Sequence, residues 1–506
     1  MSKVRIGDVF MEFLMRFVGR KKFWMTSWFL GFALSSFLVP IVPAVVLARS
    51  KALSQLSAIE QGNSFEGDSG PKGSQPQIPT APVSSQPDPE SFEDEYYVLS
   101  VRVSMDPGMS FIQRTAIVRT GADIIEPDVK EPRTGIIKVI LHENEIGRIV
   151  ALGGLGIRIE ERTSLKQLLI QAFPQGVPGG MPSGYEKYRT TSKVVEELRN
   201  LARNNAGLVS FFQLGISVKG RPLYGVRLSA PNRKESSAMG PKPGIFFCGV
   251  HHAREILTSE VPLLLAQHLT QKYRQGDARI RRLLETREVY IVPIVNPDGK
   301  VYDTAQGRFE GWRKNRRPNG DGTVGVDPNR NYGGPGWGGP GSSPNPGSET
   351  YHGSSAFSEP ENQAVRDFVA GHPNINVLLS YHSYSELILY PWGHTLEPVP
   401  NQRDRAVFET MAQRMSQWNG YQPMPGHDLY LASGDTNDWA YALRPDHPIF
   451  AFTFELSPSR GLGMSGFYPK PDMIQKVFDA NLEPALYLIE YADDPYRVLS
   501  EPLVHP

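Results

Sequence analysis

The sequence predicts an α/β protein whose main domain is a mixed, twisted β-sheet flanked by helices and preceded by a small α+β module of ferredoxin-like topology. From about residue 185 to residue 494, short apolar runs typical of buried strands alternate with segments of helical spacing. Between residues 96 and 161, the predicted order is strand, helix, strand, helix, strand, as in split β-α-β folds. A chain of 506 residues is long enough to bury both units.

The first 48 residues have the pattern of an export signal. Residues 1–22 contain six basic and two acidic side chains, and residues 23–48 are uncharged and almost wholly apolar. This order is typical of a secretory signal or of a membrane anchor. Because Pro40 and Pro43 would kink an anchor helix, we favour cleavage near Ala48 and a secreted or periplasmic protein. An uncleaved anchor through residues 23–48 is the alternative.

Two stretches rich in proline and glycine indicate linkers. Residues 61–93 cannot bury enough apolar surface to fold, and Pro174 to Gly184 forms a second break that a processing protease could cut. The module between them contains His142 but no cluster of reactive side chains, which favours a pro-segment. The predicted units are a signal or anchor (1–48), a linker (49–93), a pro-segment (94–162), a linker (163–183), a catalytic domain (184–494) and a tail (495–506).

Charge and cysteine content exclude several classes of function. The 53 basic and 53 acidic residues cancel, so nothing in the overall charge indicates a nucleic-acid partner. Cys248 is the only cysteine and lies in an apolar strand, so we predict a buried core residue and no internal disulfide. We expect a monomer that meets a membrane only through its N-terminal segment, if that segment is retained.

The most informative stretch is a buried strand that ends in reactive side chains. Residues 245–250 are apolar or small, and they are followed by His251, His252, Arg254 and Glu255. Imidazole and carboxylate ligands suit Zn²⁺, and open α/β sheets bind ligands at such strand ends. His251 is nearly as good a first ligand as His252 by spacing alone. For an isolated motif of this kind, a hydrogen-bonded histidine and a solvated ion pair are the alternative.

Two further strands end in the same manner. The apolar run 377–381 is followed by His382, and the run 449–454 is followed by Glu455. Strand ends in one sheet can bring these residues to a single metal ion. Apolar surroundings would raise the pKa of the Glu455 carboxyl group and make it a general base.

Arginines also occur in loops rich in glycine and proline. Arg313 and the pair Asn329 and Arg330 lie in such segments, where a solvated loop charge is the alternative to a functional role. Residues 331–348 contain seven glycines and four prolines and must form a long surface loop. Calcium could be a ligand of this loop, although no residue pattern supports it.

Six motifs occur in the order seen in the zinc metallocarboxypeptidases. The chain therefore resembles the carboxypeptidase A and B group from Tyr185 to Asp494, and within that group it is similar to secreted bacterial enzymes like carboxypeptidase T. The motifs are His252-Ala-Arg-Glu255, Trp312-Arg313, Asp327-Pro-Asn329-Arg330-Asn, His382-Ser-Tyr384, Tyr430-Leu-Ala-Ser-Gly and Phe452-Thr-Phe-Glu455.

The resemblance implies a role for each matching residue. It selects His252 over His251, so that His252, Glu255 and His382 would bind one zinc ion per catalytic domain. Glu455 would be the general base, and Arg313 would stabilise the oxyanion. The residues implied in substrate binding are Arg254, Asn329, Arg330, Tyr384 and Tyr430. It also implies a cis peptide bond between Ser383 and Tyr384.

The expected substrates are the C-termini of peptides and proteins. Asn437 would form the floor of the pocket for the terminal side chain, and Asp435 could swing toward a lysine or arginine. A carboxylate held by turn amides is the alternative for Asp435. We expect broad release of apolar and basic residues. A zinc amidase acting on cell-wall peptides and an inactive peptide-binding protein are the other hypotheses.

Overall fold

The computed structural model describes residues 96–126, 135–231, 241–459 and 463–500. The predicted export segment and the linker at 49–93 lie outside these ranges. Among the helices of the described ranges, none combines the length and the apolar character needed to cross a membrane.

The first unit, which we call the N-terminal module, is a four-stranded antiparallel sheet with two helices and a third helix at its end. The strand order is β2-β3-β1-β4. Asp106 caps the first helix by accepting a hydrogen bond from the Met109 amide at 2.8 Å, and Pro107 occupies the first turn. In order, the elements are β1 (Tyr96–Arg102), α1 (Pro107–Arg119), β2 (Asp123–Glu126), β3 (Ile136–His142), α2 (Ile146–Ala151), β4 (Arg158–Ser164) and α3 (Leu165–Ala172).

Two elements of this module were not predicted. Strand β2 has only four residues, too few for a periodic pattern, and it pairs with β3 through Asp123 opposite Ile140. Helix α3 corrects the prediction of a linker that begins at residue 163. Its Leu165 and Leu169, four residues apart on one face, are both buried. The exposed part of the connection lies farther along, at residues 174–180.

The main domain contains an eight-stranded mixed sheet with helices on both faces. Its elements are α4 (Thr191–Asn204), β5 (Val209–Ile216), β6 (Pro222–Leu228), β7 (Gly244–Gly249), α5 (Leu257–Gln275), α6 (Ala278–Thr286), β8 (Glu288–Val292), α7 (Pro297–Thr304), α8 (Pro360–Gly371), β9 (Ile375–Ser383), β10 (Leu387–Tyr390), α9 (Gln402–Asn419), β11 (Gln422–Pro425), α10 (Gly426–Leu429), α11 (Thr436–Ala442), β12 (Phe450–Leu456) and α12 (Met473–Tyr491). The strand order is β11-β10-β12-β9-β7-β8-β6-β5.

Alternate residues of the central strands enter different hydrophobic clusters. Ile245 and Phe247 of β7 pack in one cluster, whereas Phe246 and Cys248 pack in the other. Both faces of the sheet are thus covered, which explains why these strands are apolar throughout. Cys248 is a free, fully buried thiol, as predicted.

Two local predictions need correction. The residues Thr258-Ser259-Glu260 with Pro262 predict an N-cap and a first helical turn, but α5 begins at Leu257 and the Thr258 hydroxyl instead accepts from the Val250 amide at 3.0 Å. The predicted tail also begins later than residue 495. Residues Pro495–Leu499 form a short 3₁₀ helix whose Val498 is buried and whose carbonyl group accepts a hydrogen bond from Arg414. This hydrogen bond and the buried Val498 side chain hold the segment against the domain.

Candidate active site

Three neighbouring parallel strands end at one edge of the sheet. Strand β9 lies between β7 and β12 and runs parallel to both, so the turn after β7 and the last residues of β9 and β12 lie side by side. Glu455 is directly opposite His382 in the register of β12 and β9. This edge of the sheet therefore brings together the side chains that follow three apolar runs in the sequence.

His252, Glu255 and His382 form a buried cluster that could hold a metal ion, with one ligand atom from each within 4.8 Å of the others. Nδ1 of His252 lies 2.6 Å from Oε1 of Glu255, and Nδ1 of His382 lies 3.1 Å from Oε2. Burial lowers the pKa of His382, which favours the neutral imidazole that binds metals. Two imidazoles and one carboxylate suit a catalytic zinc ion.

A further carboxylate orients the first of these histidines. Oδ1 of Asp327 lies 3.0 Å from Nε2 of His252, on the side of the ring opposite Glu255. This contact fixes the ring so that Nδ1 faces the cluster, as outer carboxylates do for many metal-binding histidines. The donor set and its support therefore fit zinc.

His251 points away from this cluster. Its Nε2 lies 2.8 Å from the hydroxyl oxygen of Tyr332, and its Nδ1 lies 3.2 Å from that of Ser380. Burial, with the neighbouring histidines, holds its pKa well below the ordinary value. The structure thus separates two adjacent histidines that the spacing to Glu255 leaves equivalent.

Glu455 lines the same cavity as the three potential ligands. Burial raises the pKa of its carboxyl group well above the ordinary value, and the nearby charge of Glu255 adds to this effect. Arg313 acts in the opposite direction. A cation held by the neighbouring ligands would also favour the carboxylate form of Glu455.

Arg313 is buried, contrary to the alternative of a solvated loop charge. Its Nε and Nη2 donate to Oδ2 of Asp327 at 3.0 and 2.9 Å. Although burial opposes charge, Asp123 and Asp327 raise the pKa of Arg313 above its ordinary value. Asp327 therefore positions both a candidate metal ligand and a permanent positive charge.

Asn329 and Arg330 also lie at the cavity, and Arg330 is buried. Oδ1 of Asn329 accepts from the amide and the hydroxyl of Thr436 at 3.0 and 2.8 Å. Nε of Arg330 donates to the Gly341 carbonyl at 2.7 Å. These contacts tie the two residues to the loop between α7 and α8 and to α11. Tyr430 lines the cavity beside them, and burial raises its pKa to about 12.

The predicted cis peptide bond between Ser383 and Tyr384 is confirmed. The Ser383 amide donates to Oε2 of Glu255 at 3.2 Å, so the backbone after β9 supports the metal cluster. The ring of Tyr384 lines the cavity and contacts the Phe467 ring edge-on, with 5.1 Å between centroids.

Asp435 and Asn437 are not among the residues that line this cavity. Oδ1 of Asp435 accepts from the amides of Asn437 and Asp438 at 2.8 and 3.0 Å, which caps α11. Burial, with the neighbouring Asp438, raises the pKa of Asp435 to about 7. The amide group of Asn437 lies 3.2 Å from the hydroxyl oxygen of Thr453.

One wall of the cavity comes from the N-terminal module. Asp123, Ile124 and Ile125 of β2 line it together with the metal cluster. The carboxylate of Asp123 contacts Nη1 of Arg313 at 3.3 Å and accepts a hydrogen bond from Arg254. With this strand in place the cavity measures about 60 Å³, too small for a peptide.

Three residues at the site carry little signal in the sequence. Asp327 lies inside a family motif, where an acid two residues before Asn329 is the one indication of a supporting role. Glu349, which binds Arg254 at 3.0 Å, lies in a loop with no distinguishing pattern. Asp123 lies in a strand too short to predict.

A family model described as zinc carboxypeptidase matches residues 194–484. The chain belongs to the zinc carboxypeptidase family. It is a hydrolase whose cofactor is zinc, and His252, Glu255 and His382 would hold that ion. The resemblance stated from six motifs and the predicted mixed sheet are both confirmed.

Individual relatives agree with this assignment. A zinc carboxypeptidase of Saccharothrix mutabilis subsp. capreolus is 32% identical over 407 residues, covering 76% of this chain and 88% of the relative. Human carboxypeptidase A1 is 36% identical over 289 residues, covering 56% of this chain and 65% of its own. A carboxypeptidase A from Helicoverpa armigera superposes with a TM-score of 0.61 at 26% identity, covering 81% of this chain and 100% of that structure.

Proposed function

We propose that this chain is an exported proenzyme that hydrolyses the C-terminal peptide bond of peptides and proteins and releases both apolar and basic residues. The observation that carries the proposal is the meeting, in one cavity, of a zinc-type ligand set, Glu455 and two buried arginines. Once strand β2 has left, such a cavity could hold a peptide carboxylate and a reacting carbonyl group at the same time.

The substrate carboxylate would bind to Arg330 and Asn329, with Tyr430 above it. A planar guanidinium group can bind a carboxylate through two parallel hydrogen bonds. Burial strengthens that interaction, because few water molecules compete for the charge. A requirement for a free C-terminus follows, and this requirement favours a carboxypeptidase over an amidase of cell-wall peptides.

Zinc, when bound, would polarise the scissile carbonyl group and lower the pKa of water. Glu455 takes a proton from the attacking water molecule as its oxygen bonds to the carbonyl carbon. Arg313 donates hydrogen bonds to the oxygen on which negative charge develops. Glu455 then returns the proton to the amide nitrogen as the carbon–nitrogen bond breaks. Asp327 holds Arg313 in place throughout.

The N-terminal module would act as an inhibitory pro-segment. Asp123 forms ion pairs with Arg254 and Arg313, so these arginines cannot bind a substrate at the same time. Strand β2 fills the space that a peptide needs. A pro-segment over the mouth of the site should also shield Arg330 and Tyr430, although the direct contacts of Asp123 are with Arg254 and Arg313. Cleavage in the exposed segment 174–180 would allow the module to leave.

Export would follow from the signal pattern of residues 1–48, and the specificity would follow from an uncharged pocket floor at Asn437. Asp435 would supply an optional charge through Oδ2, since it is Oδ1 that accepts the two helix amides. Acidic terminal residues and proline should be refused.

The test uses zinc-loaded protein, before and after limited proteolysis, with peptides that differ only in their last residue. Release of terminal leucine, phenylalanine, lysine and arginine is expected after processing. A peptide with an amidated C-terminus is the matched control and should not be cleaved. Cleavage of the amidated peptide, or of a cell-wall tripeptide in preference to ordinary peptides, would contradict the proposed substrate class.

A further inference from the structure

Arg254 lies fully buried between two carboxylates. Its Nη1 donates to Oε2 of Glu349 at 3.0 Å, and its Nη2 donates to Asp123. The face of the Phe467 ring covers the guanidinium group at 4.3 Å. A buried guanidinium group needs such partners, because losing its hydration without compensation costs several kcal/mol.

The two carboxylates come from different parts of the protein. Asp123 belongs to the N-terminal module, and Glu349 belongs to the main domain. If the module leaves, Arg254 loses the contact at Nη2 and keeps the contact at Nη1. A ligand in the cavity can then take the place of Asp123.

The loop around Glu349 bonds to the N-terminal module through Ser348 and Gly121, but it is also tied to the main domain: the Asp327 amide donates to the Tyr351 carbonyl and Nδ2 of Asn331 donates to the His352 carbonyl, each at 2.8 Å. It is further braced by bonds within the loop. The Ser343 amide donates to the Thr350 carbonyl at 3.0 Å, and the His352 amide donates to the Ser343 carbonyl at 3.0 Å. Glu349 itself is 3% exposed. Its side chain therefore offers Arg254 a fixed acceptor and not a mobile surface charge.

We propose that Glu349 is a positioning residue that holds Arg254 for the part of the peptide preceding the scissile bond. The inference rests on the proposed function and on the family resemblance, which implies Arg254 in substrate binding. With Nη1 held by Glu349, Nη2 of Arg254 stays directed at the position that Asp123 occupies. A donor fixed before binding loses less conformational entropy when the substrate arrives.

The experiment compares two substrates of different length. One is an unblocked dipeptide ending in leucine, and the other is an acetylated tripeptide with the same last two residues. Only the longer peptide offers carbonyl groups beyond its penultimate residue. The zinc-loaded full chain is treated with protease until peptide hydrolysis reaches its maximum, and kcat and KM are then measured for both substrates.

Glu349→Ala should lower the ratio of kcat/KM for the long over the short peptide about tenfold, mainly through KM, because one charge-assisted hydrogen bond is affected. Glu349→Gln keeps an acceptor oxygen and should restore most of the ratio. Glu288→Ala removes a buried glutamate that pairs with Arg227 at 2.6 Å, at the other end of the sheet, and should leave the ratio unchanged.

An unchanged ratio in Glu349→Ala, or equal losses on both peptides, would overturn the positioning role. If that variant does not fold, Glu349→Gln decides, with a loss of about threefold expected on the long peptide only; no loss, or an equal loss on both peptides, would overturn the role. A wild-type protein that hydrolyses neither peptide would instead overturn the proposed function, and this inference with it.

Discussion

Oδ1 of Asp123 lies 3.3 Å from Nη1 of Arg313, and the same carboxylate accepts a hydrogen bond from Arg254. One side chain of the N-terminal module thus pairs with two arginines beside the candidate metal ligands. Burial alone would raise the pKa of Asp123, but the guanidinium groups of Arg313 and Arg254 outweigh burial and hold this pKa below its ordinary value.

Asp123→Asn should increase peptide hydrolysis by the uncut chain. The substitution removes the negative charge between two buried arginines, so docking of the module becomes weaker by about 1–3 kcal/mol, or roughly tenfold to a hundredfold in open protein. The measurement is the initial rate before any proteolysis. Asp106→Asn is the control, because asparagine is an equally good cap for α1 and the residue lies outside the cavity. Equal rates in wild type and Asp123→Asn would show that Asp123 does not hold the module over the cavity.

Mild acid should not release the N-terminal module from the cavity. Because the folded-state pKa of Asp123 is depressed, its contribution to docking is fully present above the ordinary value of 3.8 and is lost as the pH falls through the lower folded value. Incubation of the uncut chain at pH 5, followed by assay at pH 7, should leave its activity low. Activation by that treatment alone would show that another group controls docking.

Glu455→Gln should retain zinc and lose about a hundredfold to ten-thousandfold in kcat, because the general base is removed while the three ligands remain. His382→Ala should lose the metal as well as the activity, because two ligands hold zinc poorly. Zinc content after dialysis and single-substrate kinetics separate the two variants. Substantial turnover by Glu455→Gln would contradict the assigned base.

Asp435→Asn should reduce release of terminal lysine and arginine and leave leucine and phenylalanine nearly unchanged. Asparagine can still cap α11, so the helix should persist and the effect of charge can be observed separately. Comparison of kcat/KM for peptides that differ in the last residue provides the measurement. Equal losses for apolar and basic residues would instead favour a purely structural cap.

Asp303 should make stability fall as the pH rises. Burial raises its pKa from 3.8 to about 7 in the folded protein, so the folded state binds more protons than the unfolded state between these values. The free-energy cost of burying the charged Asp303 carboxylate therefore grows from about pH 4 to pH 7. Over this window, Asp303→Asn should gain stability relative to wild type. Urea unfolding at several pH values tests this, with the exposed Asp479→Asn as control. A difference in unfolding free energy between wild type and Asp303→Asn that does not change with pH would refute the raised pKa of Asp303.

The sequence alone determined the location and the donor set of the site. Apolar runs that end at His252, His382 and Glu455 predict buried strands with reactive ends, and parallel strands present such ends at one edge. The family motifs then separated His252 from His251. Local patterns carry this information because strand burial and motif order are properties of short segments.

Only the tertiary structure decided which charges meet. Asp123 and Arg254 are 131 residues apart, and the four-residue strand that carries Asp123 has no pattern that predicts burial. The same holds for Glu349 beside Arg254 and for Asp327 between His252 and Arg313. Their environments depend on distant segments that fold against one another, and a buried charge is stable only where such a partner is supplied.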